Sequence, residues 1–222
     1  MDKSKAYEIL SFLKKTYPEA KIALDYSNHL ELLISVMLSA QTTDAQVNKV
    51  MAIVFPKFKK EKPEFNNLYE KYSSIDLQKD ELIEMINFAF SDILEIENEI
   101  KSIGLYKSKA NNINKTSRIL LEDYKGKLPR TIEKFTKLPG VGRKTANVVL
   151  GEAYGISEGV AVDTHVKRLA RYFGFTKEED PLKIEKDLMA LFDKKDWIIL
   201  THLLIAHGRK NRNLKLPGTK NN

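Results

Sequence analysis

LPGVGRKTANVVL (residues 138–150) reads as a tight turn running straight into a helix. Gly140 and Gly142 flank Val141 and open backbone angles that a side chain would forbid, while Leu138 and Pro139 bury the entry to the turn. From Arg143 onward, Ala146, Val149, Leu150 and Ala153 recur at helical spacing until Gly155. With a short helix expected over 131–136, the segment becomes two helices joined by a hairpin whose backbone amides face outward. Amides at such a turn, and at the helix start behind it, can hold a phosphate without reading a base. Lys144 stands in the first turn of that helix. A lysine there is a phosphate contact or a nucleophile. Asp163, nineteen positions on in VAVDTHVKRLARYFG (160–174), tilts the choice toward chemistry.

The helical period extends outward from this segment in both directions. Ala6, Ile9, Leu10, Leu13 and Tyr17 share one face, and Pro18 ends their run. Residues 29–40 are apolar on almost every side and are expected to form a central helix. Thr43 with Gln46 makes a capping box before Val47, Val50, Met51, Val54 and Phe55, with Pro56 closing the helix. Residues 57–76 read as irregular and charged. Further helices are expected at 78–90, at 92–103 ending on Gly104, and at 108–124 starting from Ser108. Asp163 or Thr164 caps another that runs to Phe173 and closes on Gly174, and Asp180-Pro181 opens one to Phe192. The last, 196–207, is expected to end at Gly208. No stretch reads as a strand, so the expected fold class is all-α.

Composition limits the function further. The chain has 222 residues, 42% apolar and 30% charged, as in soluble globular proteins. No apolar run reaches the roughly 18 residues a membrane helix needs, and MDKSKAYEIL at the start lacks the apolar core of a secretion signal. The expected location is cytoplasmic, nucleoid-associated when DNA is bound. With no cysteine there is no disulfide, thiolate nucleophile or Cys-held metal. Residues 1–100 carry 12 Lys against 17 acids, whereas residues 101–222 carry 25 Lys plus Arg, including all seven arginines, against 13 acids. That asymmetry fits a polyanion-binding surface in the second part, although lysines that merely solvate helices would show it too. His165, His202 and His207 lack the i, i+4 spacing of a helical metal site and read as capping or packing residues, as does His29. No metal site is expected.

Together with the hairpin, AVDTH (161–165), LLISVMLSAQTTD (32–44), IKSIGLYKSKA (100–110) and HGR (207–209) resemble the endonuclease III family. That family belongs to the helix–hairpin–helix (HhH-GPD) DNA glycosylase superfamily, and the resemblance spans most of the chain. It implies two all-α lobes flanking a DNA-binding cleft. Residues 22–156 would be a six-helix barrel with the hairpin at 138–142, and 1–21 with 157–222 a second lobe ending in a basic tail.

The implied activity is base excision repair: a DNA glycosylase with abasic-site lyase activity that removes damaged bases, oxidised pyrimidines above all. Lys144 would form a Schiff base at the sugar and β-elimination would break the strand. Its amine would be held neutral by partial desolvation in the cleft and by nearby cations. Asp163 would activate it and stabilise positive charge on the sugar. Gln41 would enter the hole left by the extruded base and Leu105 would wedge the opposite strand. Leu138, Gly140, Val141, Gly142, Arg143, Thr145, His165 and Arg209 would complete the DNA contact. The implied partner is double-stranded DNA carrying damaged bases or abasic sites, bound by a monomer away from any membrane. No cofactor would be required beyond a monovalent cation bridging the hairpin and a DNA phosphate.

Other readings of the same residues stay open. Lys144 can be a phosphate clamp, Asp163 a plain N-cap, and Gln41 and Leu105 packing residues. The whole can be a non-catalytic binder of DNA structure, or a glycosylase for mismatched or deaminated bases or oxidised purines.

Two departures from the family stand out. Endonuclease III usually carries a four-cysteine iron–sulfur cluster after HGR, and this chain cannot. Arg209, Lys210, Arg212 and Lys215 are expected to act instead as a basic tail with a salt-dependent DNA contact. Residues 57–100 also look longer than the family's counterpart. With eleven acids over 61–99, they read as an acidic helical insertion on the barrel that faces away from DNA.

Overall fold

The computed structural model describes residues 1–211; Arg212 and Lys215 of the expected tail lie outside the described residues. In chain order the helices are α1 (Lys3–Thr16), α2 (His29–Leu38), α3 (Asp44–Phe58), α4 (Asn66–Tyr72), α5 (Lys79–Phe90), α6 (Ile93–Ile100), α7 (Tyr106–Asp123), α8 (Ile132–Phe135), α9 (Arg143–Tyr154), α10 (Thr164–Tyr172), α11 (Pro181–Leu191) and α12 (Trp197–Lys210). Two single-turn 3₁₀ helices, 63–65 and 194–196, complete them, and no strand occurs among the described residues. The all-α expectation holds. The chain divides into two compact units, one of Ala23–Val149 and one of Met1–Ile22 with the segment from Leu150 onward.

In the Ala23–Val149 unit, α2 is buried continuously from Leu30 to Leu38, as its unbroken apolar run requires. Asn28 caps it by accepting a hydrogen bond from the Glu31 amide. α7 packs against α2, α5 and α6, while α3 packs against α2, α5 and α6. Phe58 of α3 and Phe88 of α5 stack with ring centroids 4.1 Å apart. In the other unit α1 and α10 both pack on α12, and α11 packs on α10. Leu10, Leu13, Leu169, Leu188, Leu200 and Leu203 form its core.

Five local expectations change. Pro56 does not close α3, which runs two residues further because Phe55 and Phe58 both bury there and the Lys59 amide still reaches the Phe55 carbonyl. α7 begins at Tyr106, not Ser108. Gly208 does not end α12. An added Cβ there would lie 2.8 Å from His165 Nδ1, so this glycine admits the His165 ring against the helix. The acidic stretch, finally, is not a surface insertion throughout. α5 is buried from Leu82 to Ala89, and counting acids could not show which of them point outward. Within 57–76, α4 forms where irregular chain was expected. The Tyr69 hydroxyl donates to Asn87 Oδ1 at 2.9 Å and accepts from the Lys62 amide at 2.8 Å.

One acid of that stretch, Glu84, is fully buried. Asn28 Nδ2 donates to its Oε2 at 2.8 Å, and its Oε1 has no hydrogen-bond partner. Burial pushes its pKa up to about 8, against the Asn28 hydrogen bond and with help from the Glu31 carboxylate. The folded state therefore keeps this proton through a pH range in which the unfolded chain has lost it. Stability should fall as pH rises from the ordinary carboxyl value to about 8, by roughly 1–3 kcal/mol. Glu84→Gln should flatten the denaturant midpoint over that range and exceed wild type at its upper end. An undiminished slope in Glu84→Gln would place the titrating group elsewhere.

Candidate active site and nucleic-acid interface

The hairpin between α8 and α9 is built from beneath by α7. Thr116 Oγ1 donates to the Pro139 carbonyl at 3.0 Å, and the turn closes through the Val141 amide onto the Leu138 carbonyl at 3.1 Å. Gly140 has φ +76°, and a Cβ there would sit 2.7 Å from Asn112 Nδ2. Both facts demand glycine. Gly142 differs from expectation: its φ is not positive and a Cβ would meet nothing within 4 Å. Nothing in the protein itself requires a glycine there. Leu138 and Val141 are buried, so only their backbone is on offer outside. Gly142, Arg143 and Lys144 are exposed and Thr145 is half-buried. The free protein thus leaves Lys144 in water, without the partial burial expected for it.

Gln41 and Leu105 come together in a second place. Both are exposed, and both hold left-handed backbone, φ 56° and 60°, which is uncommon without glycine. Leu105 is the N-cap of α7 and remains 59% exposed. The Gln41 carbonyl lies within van der Waals reach of the Gly104 position. Beneath them Lys109, a buried lysine, donates to the carbonyls of Leu38 and Ala40 at 2.8 and 2.7 Å and to Thr42 Oγ1 at 3.3 Å. Burial lowers its pKa.

In the other unit Asp163 is the half-buried N-cap of α10. Its Oδ1 accepts from the Val166 amide at 2.7 Å, and its charge sits at the positive end of the helix dipole. One carboxylate oxygen is spent on the cap. His165 in the same turn lies against Gly208, next to Arg209. Arg168 of α10 donates to the carbonyls of Gly208 and Asn211 at 3.0 and 3.1 Å. His202 and His207 are both hydrogen-bonded within this unit. His202 Nε2 is 2.6 Å from Glu152 Oε1, and His207 Nδ1 is 3.0 Å from the Tyr17 hydroxyl, its pKa lowered by burial and then by Arg168.

The family model of the HhH-GPD superfamily of base excision DNA repair proteins matches residues 34–194. Endonuclease III of Synechocystis is 43% identical over 207 residues, covering 93% of this chain and 84% of that protein. A trapped endonuclease III–DNA covalent intermediate, an estranged-adenine complex, superposes with a TM-score of 0.77 at 37% identity. A non-covalent endonuclease III–DNA complex does so at 0.78, also at 37% identity. Each alignment covers 98% of this chain and 91% of the other. The chain belongs to the HhH-GPD superfamily, in its endonuclease III family. It is an endonuclease III-like base excision repair glycosylase, and the two related structures hold DNA.

An iron–sulfur cluster does not fit this chain. There is no cysteine to supply a thiolate, and no group of three or more His, Asp or Glu among the described residues can hold a metal ion. No helix among them is long and apolar enough to cross a membrane.

Sequence reading passed over Lys109, Asn112 and Thr116 of α7. The available signal was polarity in an apolar stripe: Lys109 and Thr116 fall among Ala110, Ile113, Ser117 and Leu120, all buried.

The two hairpin glycines are expected to differ on substitution. Gly140→Ala should cost about 1–3 kcal/mol of stability, because the backbone angle and Asn112 both oppose a Cβ. Gly142→Ala should stay within about 0.5 kcal/mol of wild type yet bind duplex DNA several-fold more weakly. Denaturant midpoints and a binding titration read the two effects. Unchanged affinity in Gly142→Ala would remove the hairpin from the DNA contact.

Proposed function

We propose that the protein is a bifunctional DNA glycosylase and abasic-site lyase acting as a monomer on damaged bases in duplex DNA, with oxidised pyrimidines as the substrate class. The observation that carries this reading is an exposed lysine, Lys144, in the first turn of α9 directly behind a hairpin with an uncovered backbone at Gly142. A phosphate seated on the hairpin would bring the neighbouring sugar to the amine.

In this mechanism the neutral Lys144 amine attacks C1′ of the extruded nucleotide, and the bond to the base breaks with its electrons leaving on the base. Opening of the sugar gives an iminium, which acidifies a C2′ proton. Loss of that proton and of the C3′ phosphate nicks the strand, and water then releases the lysine. Asp163 takes the proton from the amine and stabilises positive charge on the sugar. Since Lys144 is exposed in the free protein, the bound duplex must supply the desolvation, aided by Arg143 and the positive N-terminus of α9. Gln41 would fill the space of the extruded base and Leu105 would wedge the other strand. His165 and Arg209 would add backbone contacts. A monovalent cation would bridge the hairpin and the phosphate, and no step depends on it.

Borohydride trapping on a duplex with an abasic site tests the chemistry. Wild type should give a covalent adduct and a strand nick, and Lys144→Gln should give neither while still binding. Asp163→Asn should keep stability within about 0.5 kcal/mol, because an asparagine oxygen caps as well, yet slow base excision by a factor on the order of 100. Binding with neither adduct nor nick in wild type would mark a non-catalytic DNA-structure binder. A lesion panel in which mismatched bases or oxidised purines are cut fastest would overturn the pyrimidine assignment.

A further inference from the structure

Gln41 and Leu105 belong to different turns, yet a single residue holds both. The Lys109 amide donates to the Leu105 carbonyl at 3.1 Å, as the first hydrogen bond of α7. The Lys109 ammonium brackets Gln41, with the Ala40 carbonyl on one side and Thr42 Oγ1 on the other, and also takes the Leu38 carbonyl. Three N–H donors meet three acceptors. The Leu38 and Ala40 carbonyls lie at the C-terminal end of α2, where carbonyls lack partners within the helix and a cation is favoured. The side chain doing this is 6% exposed, beneath two turns that are both exposed and both left-handed. Strained backbone persists only where its surroundings over-determine it, and here Lys109 is shared by both turns.

We propose that Lys109 is a positioning residue for nucleotide extrusion, clamping the Gln41 turn to the Leu105 turn so that both enter the duplex as one rigid pair. This rests on the reading of Gln41 and Leu105 given above. Lys109 does not touch the reacting atoms. Its loss should therefore slow the opening of a paired site and spare chemistry on a site that is already unpaired.

The test compares wild type, Lys109→Met, Gln41→Ala and the double variant as full chains. Single-turnover nicking is followed at an abasic site in a duplex and in the same strand alone, and the fluorescence of 2-aminopurine placed opposite the duplex site is read in parallel. Lys109→Met should lower the duplex-to-single-strand rate ratio about tenfold or more and lower the fluorescence rise. Gln41→Ala should do likewise, and the double variant should be no worse than Gln41→Ala. Equal losses on both substrates, or a full additional loss in the Gln41→Ala background, would overturn the proposal. So would an unchanged ratio in Gln41→Ala, because there would be nothing to position. If wild type nicks neither substrate, the lyase reading fails by itself, and the fluorescence comparison still decides the role of Lys109. Should Lys109→Met not fold, Lys109→Arg carries the same comparison: it keeps the charge, but a planar fork cannot converge on three acceptors.

Discussion

The Ala23–Val149 unit depends on one constraint: helix ends and turns that leave carbonyls inside the protein must be given donors. α7 supplies most of them. Lys109 takes the end of α2. Asn114 Nδ2 donates to Phe88 and Ala89, and Arg118 to Ala89, at the end of α5. Thr116 takes Pro139 in the hairpin. An orphaned buried carbonyl costs about as much as a lost hydrogen bond, so each pair holds a turn in place. A helix that packs against α2, α5 and α6 and donates to these ends fixes where Gln41, Leu105 and Gly142 stand.

The other unit uses the same device. Arg168 of α10 donates to the last carbonyls of α12 at Gly208 and Asn211, and Gly208 makes room for His165. Asp163, at the head of α10, is thereby set on a helix anchored by the half-buried Arg168. In both units a candidate site residue stands on an element held by a side chain that donates to backbone carbonyls. Apolar packing alone tolerates sliding and repacking. Directional hydrogen bonds to backbone carbonyls do not, which suits the DNA contacts proposed for these residues.

Much of this was legible in the sequence because it rests on local rules. Asp163, Asp180-Pro181 and Thr43 announce helix starts through short-range chemistry, and each caps as expected. Gly140 proved necessary for the reason its position implied. The misreadings share one cause, which is that a nonlocal partner decided the outcome. Gly208 looks like a helix stop until His165 occupies the space beside it. Pro56 looks like one until Phe58 is buried beyond it. The acids of 61–99 look like a surface patch, yet α5 sits in the core with Glu84 protonated there. Lys109 in IKSIGLYKSKA is indistinguishable by composition from its solvated neighbours Lys101 and Lys107, which are exposed.

The contrast between Lys109 and Lys144 bears on how such sites should be found. Among the described residues Lys109 is the lysine whose pKa burial lowers, and perturbed groups do gather at functional sites. Yet a nucleophilic amine needs a free lone pair and a path to carbon. Lys109 has neither, because its three N–H groups are all committed and its side chain is buried. Lys144 is exposed at the head of a helix behind a bare hairpin. It can acquire a low-dielectric setting when a polyanion covers it. Under the proposed mechanism the substrate would carry in the desolvation that the free protein, with Lys144 exposed, does not supply. If Lys144 is the nucleophile proposed above, its amine would be activated only where a sugar is already in place, a form of selectivity that a permanently buried nucleophile would lack.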